Sequence, residues 1–394
     1  MVNNGNKTTG IYIHIPFCVC KCAYCDFLSS PATDFVKENY INALIEEIRL
    51  TAETFAKQDK KYIVNTIFIG GGTPTSINPE LIKKVLDFVY CKFNIAQQAE
   101  ITIECNPGTL TKENARIYRS AGINRISFGL QSADNKELRL LGRIHTLEQF
   151  RDSFDIARHA GFDNINIDIM SALPGQTYEG FKETVEKVIA FNPEHISAYS
   201  LILEEGTRLY EHMEEYPELP DEDAERKMYS YVCERLDSAG YHQYEISNFA
   251  KKNFECRHNL SYWERKNYLG FGIGAASLFE ERRYTNISNI DEYISLLSEP
   301  GGVEAKLNYV REESCKLSEA EQMEEYMFLG LRKTGGISVN DFFNTFNKSI
   351  EEIYGGVIGK NIGYGLLQMC GDRLFLTRHG IDVSNVVMAD FLLS

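Results

Sequence analysis

No apolar run in the sequence is long enough to cross a bilayer, and no long basic run appears against a net charge of −15. The first absence excludes a membrane-spanning helix of ordinary length. The second excludes a general nucleic-acid binder, which needs a basic face to neutralise phosphates. The opening, MVNNGNKTTGIYIHIPF, has neither a basic segment nor a plain apolar stretch, so no secretory leader is expected and the cytoplasm is the expected compartment. Low-complexity linkers and internal repeats beyond a strand–helix rhythm are also missing. Tryptophan occurs once, at position 263. Hydrophobic content of 43% against 25% charged residues leaves enough apolar mass for a sizeable buried core. In a reducing compartment the ten cysteines read as free thiols or metal ligands rather than a disulfide framework.

Six short β-rich runs alternate with amphipathic helical patterns: IYIHI (11–15), NTIFIG (65–70), EITIECN (100–106), RISFGL (125–130), NINIDIM (164–170) and HISAYSL (195–201). The helices between them, such as 39–55, 79–93 and 177–191, repeat apolar residues at three- and four-residue spacing. This alternation predicts an α/β fold with a parallel sheet and crossover helices. Six units fit an open, partial (β/α)6 barrel better than a closed eight-unit one. Three segments are expected: the barrel over 1–220, an extension over 221–300, and a small helical, winged-helix-like unit over 301–394. The last includes a hairpin at LLQMCGDRLFLT turning at Gly371–Asp372. With no basic recognition helix, that unit reads as a packing or partner surface rather than a DNA reader.

The chemistry concentrates in FCVCKCAYCDF. Cys18, Cys22 and Cys25 form CxxxCxxC directly after the first strand. Three thiolates from one loop hold three corners of a cubane iron–sulfur cluster and leave its fourth iron open to a small molecule. Four-cysteine zinc sites usually draw on two separated knuckles, and the next cysteines, Cys91 and Cys105, lie on other elements. Cys20 is the ambiguous member of the loop; it breaks no spacing and reads as a non-ligand bystander. GGGTPT (70–75) gives a strand exit where backbone can approach a ligand closely. Glu104 and Asp168 are carboxylates in otherwise apolar strands. Burying them is costly unless each is paired or faces a ligand, and ribose hydroxyls or an ammonium group suit them.

With YIHIPFC before the loop and CDF after it, the sequence resembles the radical S-adenosylmethionine (SAM) superfamily. It is similar to the branch of oxygen-independent coproporphyrinogen III oxidases and the haem chaperones of the HemW type, over nearly the whole chain. The resemblance implies a [4Fe–4S] cluster on Cys18, Cys22 and Cys25. It also implies SAM held by Tyr12, Gly71, Gly72, Thr73, Glu104, Gln131, Arg143 and Asp168, with the guanidinium of Arg143 suited to the methionine carboxylate. Cluster and cofactor together imply one-electron chemistry through a 5′-deoxyadenosyl radical, fed by an electron donor protein such as flavodoxin or ferredoxin. The oxidases continue the loop with a fourth cysteine where this chain has Phe27, and they carry a longer N-terminal extension. Both departures favour the chaperone branch, which binds haem as cargo and passes it to an acceptor protein, here soluble or membrane-associated. CRHNLSYW (256–263) contains HNxxYW, similar to that branch's haem-associated motif. His258 is therefore a candidate axial ligand, with Asn259 behind it and Tyr262 and Trp263 as covers for the macrocycle; Cys256 is a weaker competitor. Packing of His258 against the following LGFGIGAASLF is the alternative. His14 is expected to pack with a backbone hydrogen bond, and His145 matches the family without a derivable role. A porphyrinogen oxidase and a zinc-binding structural protein remain the competing readings, and either a monomer or a dimer is compatible with the sequence.

Overall fold

A computed structural model describes residues 7–58 and 61–393; the first six residues of the opening stretch lie outside the described residues. The six expected strands form, in chain order, as β1 (Lys7–Ile15), β2 (Tyr62–Gly71), β3 (Asn94–Cys105), β4 (Arg125–Gln131), β5 (Ile165–Ser171) and β6 (His195–Ser200). Each is parallel to the next. Their apolar side chains face the crossover helices: Ile11, Ile13 and Ile15 of β1, Ile67 and Ile69 of β2, and Ile165, Ile167 and Ile169 of β5 are almost wholly buried. Each such side chain contributes about 1.5–3 kcal/mol. The alternate side chains point to the other face, where the sequence places Tyr12, His14, Glu104, Ser127 and Asp168. That alternation is what lets apolar strands carry a polar site.

Each crossover helix starts where a short polar side chain caps it. Thr33 accepts from the amide of Val36 ahead of Asp34–Lys57, Asn78 caps Pro79–Lys92 with proline in the first turn, and Thr146 with Gln149 forms a reciprocal capping box before Leu147–His159. Thr177 caps Tyr178–Ala190 in the same way.

The sheet is wider than the sequence implies. Beyond β6 lie the antiparallel strands β7 (His242–Glu245) and β8 (Asn248–Ala250), with β8 next to β6. On the other side of β1 lie β9 (Tyr268–Phe271), β10 (Ala276–Phe279), β11 (Arg282–Asn286) and β12 (Arg311–Lys316). Strand β9 is parallel to β1, and the last three run antiparallel to their neighbours. The result is one open, mixed sheet of twelve strands. The expected segment boundaries at 220 and 300 both fall between strands of this sheet, to which the 221–300 extension contributes β7–β11. The second hydrophobic core begins only at Met323. It contains the capped helix Glu319–Gly330, helices Val339–Phe346 and Ile350–Gly363, and strands β13 (Ile337–Ser338), β14 (Leu367–Cys370) and β15 (Arg373–Leu376). The last two form the expected hairpin around Gly371, at φ 57°, and Asp372. Glu325 ties this unit to the sheet, accepting from Arg265 at 2.8 Å and Arg283 at 2.7 Å.

Candidate functional site

The cysteine loop leaves β1 and runs beneath the C-terminal ends of β2–β5, the end where parallel α/β folds place their sites. One pocket at these strand ends gathers Cys18, Cys22, Cys25, Gly71, Gly72, Thr73, Glu104, Gln131, Arg143 and Asp168. Those are all the expected site residues except Tyr12 and His258.

The thiols are individually oriented. Cys18 Sγ lies 3.1 Å from Thr73 Oγ1, and Arg143 Nη1 donates to Cys22 Sγ at 3.5 Å. Asn106, which the sequence reading passed over, links the two, donating to Thr73 Oγ1 at 2.8 Å and accepting from Arg143 Nη2 at 2.9 Å. Arg143 also donates to the carbonyl of Gly129. Burial pushes the free Cys25 thiol up to about 11, so its thiolate, the form that binds metal, needs a cationic partner. Among the described residues only the exposed His212, Glu214 and Glu215 bring three ligating atoms within 4.8 Å of one another. The three cysteines come from one loop and line one pocket, and thiolates are the donors that iron–sulfur clusters take.

The glycine turn has a steric reason. Gly71 adopts φ +110°, and a Cβ there would lie 2.5 Å from the His14 ring; one on Gly72 would lie 2.7 Å from the carbonyl oxygen of Phe17. All three amides of the turn are committed inside the protein: Gly71 to Glu104 Oε2 at 3.0 Å, Gly72 to the carbonyl of Ile15 at 2.9 Å, and Thr73 to that of Phe17 at 2.7 Å. With its N–H groups engaged, the turn suits a ligand that donates, such as an ammonium group.

Glu104 and Asp168 face each other across the pocket floor. Burial, and then the charge of Asp168, raise the Glu104 carboxyl to about 7, and burial also raises Asp168. Asn166 Nδ2 at 2.7 Å and Ser127 Oγ at 3.4 Å donate to Asp168. A cationic or hydroxyl-rich ligand relieves this pair. Gln131 ends β4 at φ 71°, at a shift in the pairing of β4 with β5, and its amide folds back to where a Gly129 side chain would sit. Tyr12 is outside the lining of the thiol pocket but adjoins it: its hydroxyl lies 3.0 Å from His14 Nδ1, burial and then the charge of Glu104 raise its pKa, and it also lines an aromatic pocket with Tyr262 and Trp263. His14 Nε2 lies 2.8 Å from the carbonyl oxygen of Leu28, the backbone bond expected of it. His145 is buried, its Nε2 lies 3.3 Å from the carbonyl oxygen of Leu130, and burial followed by Arg143 lowers its pKa to about 3.

The HNxxYW segment forms a short helix, Arg257–Trp263, and of the two readings of His258, ligand or packing, its contacts favour packing. His258 is 1% exposed, its Nδ1 lies 2.9 Å from Thr66 Oγ1, and its Nε2 lies 2.8 Å from the Tyr262 hydroxyl. The ring stacks on Phe68 with centroids 5.3 Å apart. Neither ring nitrogen is open to iron in this arrangement; the motif staples its helix to β2. Cys256 is likewise buried, with Sγ 3.6 Å from Glu100 Oε1.

A second pocket, about 340 Å³, opens beside the first. The two share Tyr24, Cys25, Phe27, Glu104, Ser127, Gln131 and Asp168. The second adds Phe68, Arg125, Met170, Tyr199 and Leu201, giving it aromatic and apolar walls next to the thiol loop.

Comparison with known proteins agrees with this geometry. The radical SAM superfamily profile matches residues 12–188, and the HemN C-terminal domain profile matches residues 317–383. The heme chaperone HemW of Bacillus subtilis is 37% identical over 97% of this chain and 98% of its own length. That of Lactococcus lactis is 37% identical over 98% of each chain. That of Escherichia coli is 39% identical over 67% of this chain and 68% of its own. The solved coproporphyrinogen III oxidase HemN from Escherichia coli superposes with a TM-score of 0.85 over 98% of this chain and 91% of that one, at 21% identity, and shares the fold. The chain belongs to the radical SAM superfamily, which implies a [4Fe–4S] cluster and SAM, and within it to the family of the HemW proteins.

Proposed function

We propose that the protein is a haem-binding transfer protein that acts in the cytoplasm and hands haem to an acceptor protein. Cys18, Cys22 and Cys25 hold the cluster. Arg143 takes the methionine carboxylate of SAM, the carbonyl side of the Gly71–Thr73 turn receives its ammonium, and Glu104, Gln131 and Asp168 take its ribose and positive charge. When bound and reduced, this pair supplies a 5′-deoxyadenosyl radical. The protein's own residues position the two groups and keep bulk water from them.

The observation that carries the haem reading is the end-to-end likeness to the HemW proteins of Bacillus subtilis and Lactococcus lactis. The aromatic pocket beside the thiol loop supports it, offering Phe27, Phe68 and Tyr199 to a flat, largely apolar ligand. Phe27, 62% exposed at the pocket's edge, stands where an oxidase carries its fourth cysteine. His258 is not carried forward as the iron ligand, because both its nitrogens are engaged.

The test is an anaerobic titration of cluster-reconstituted protein with haem, followed by incubation with coproporphyrinogen III, SAM and dithionite. Stoichiometric haem binding with no divinyl product is expected. Divinyl product without haem binding would move the protein to the oxidases.

A further inference from the structure

Arg125 opens β4 and is 2% exposed. Its Nε has no hydrogen-bond partner, and the residue lines the second pocket. Arginine is almost never buried without a partner. The site's other arginine, Arg143, also has an unpartnered Nε, but its terminal nitrogens donate to Cys22, Asn106 and Gly129.

The carboxylates around Arg125 are all served by other donors. Glu100 accepts from the amides of Arg257 and His258, each at 3.0 Å. Glu104 accepts from the amide of Gly71, and Asp168 from Asn166 and Ser127. These acids neutralise the interior field without closing the fork. Arg125 lines the second pocket and is absent from the wall of the thiol pocket. Phe68, Met170 and Leu201 are apolar parts of the same lining, which also carries polar side chains such as Asn166, Ser197 and Asn259.

We propose that Arg125 binds a carboxylate of the ligand that occupies this second pocket, the ligand being haem on the reading above, on which the identity of the cargo rests. A planar guanidinium with open donors matches a carboxylate in two parallel hydrogen bonds. The cofactor's own carboxylate is served by Arg143 at the thiol end. The pocket therefore takes an amphiphile, with its acid group inward on Arg125 and its apolar body against the aromatic wall. The propionates of haem meet that description.

The test compares wild type with Arg125→Met and Arg125→Lys, each as full-length, cluster-reconstituted protein with SAM bound. Haem and haem dimethyl ester serve as probes, and affinity is read by absorbance titration. The wild type is expected to bind haem at least tenfold more tightly than the ester, about the value of one charge-assisted pair. Arg125→Met is expected to bind the two equally and Arg125→Lys to lie between, with SAM affinity unchanged in Arg125→Lys, which keeps the charge beside Glu104 and Asp168. Arg125→Met also removes the cation beside Glu100, Glu104 and Asp168, so a lower melting midpoint is expected in it, and Arg125→Lys, which keeps the charge, is the variant that reads carboxylate recognition at near wild-type stability.

Equal affinity of the wild type for haem and its ester would overturn the proposal, as would a loss of SAM affinity in Arg125→Met with haem discrimination intact. Should the wild type bind no haem, the haem reading fails by itself. Coproporphyrin III against its tetramethyl ester then decides the carboxylate role by the same criterion.

Discussion

The cysteine loop and the HNxxYW helix both look like ligand sites in the sequence, yet their polar groups end up in opposite states. Around the loop, thiols, carboxylates and a guanidinium converge on one pocket, with burial and then the charge of Asp168 raising Glu104 to about 7. In the helix, His258 sits between Thr66 and Tyr262 with both nitrogens occupied, and burial followed by the charge of Arg125 lowers its pKa to about 3. A site holds groups whose hydrogen-bonding or charge demand is unmet by the protein; a staple holds groups that satisfy one another. Motif spacing does not separate the two, and partner accounting does.

The largest expected difference between the regions is in metal content. Cys22→Ala should reduce reconstituted iron from about four per chain to near zero, measured by iron and sulfide analysis, whereas His258→Ala should leave it intact. Next, Glu104→Gln and Asp168→Asn should weaken SAM binding about 10–100-fold with the cluster retained, each removing a charge-assisted contact; equilibrium dialysis under nitrogen reads this directly.

His258→Ala should lower unfolding free energy by about 2–4 kcal/mol, since it leaves Thr66 and Tyr262 without their partner, and should leave haem affinity unchanged. A haem spectrum altered by this substitution, at full stability, would contradict the staple. The same histidine gives a pH signature. Its folded pKa is about 3 and its unfolded one about 6.5, so between those values only the unfolded chain takes up the proton. Stability therefore falls as pH drops through this window, by at most about 1.4 kcal/mol per pH unit from this residue. Urea midpoints across pH 4–7 should show a shallower slope in the variant. The smallest effect is assigned to Cys20→Ala: Cys20 is exposed, its Sγ lying 3.7 Å from the carbonyl oxygen of Lys21, and iron content should not change.

Much of the main sheet was legible because period-two strands and capped helices are local signals. Thr146 with Gln149, or Asn78 before Pro79, mark helix starts without tertiary help. Strand β9 was not, because YLGF is too short for a pattern and becomes a strand only by pairing with β1. The same holds for β12, an exposed charged run that belongs to the sheet through β11. Within the site, spacing identified the thiols and isolated charges identified Glu104 and Asp168. Asn106 and Arg125 stayed hidden, since an asparagine before proline and an arginine at a strand start read as a turn and a surface charge. Their roles rest on contacts 33 or more residues away in sequence or on an Nε without a partner.

The account depends most on an iron–sulfur cluster held by three cysteines, with one iron left to SAM. Mössbauer spectra of ⁵⁷Fe-reconstituted protein, recorded anaerobically with and without SAM, test this directly. One iron in four should change its isomer shift when SAM is added. Four irons unaffected by SAM, or iron that never assembles into a cluster, would contradict it.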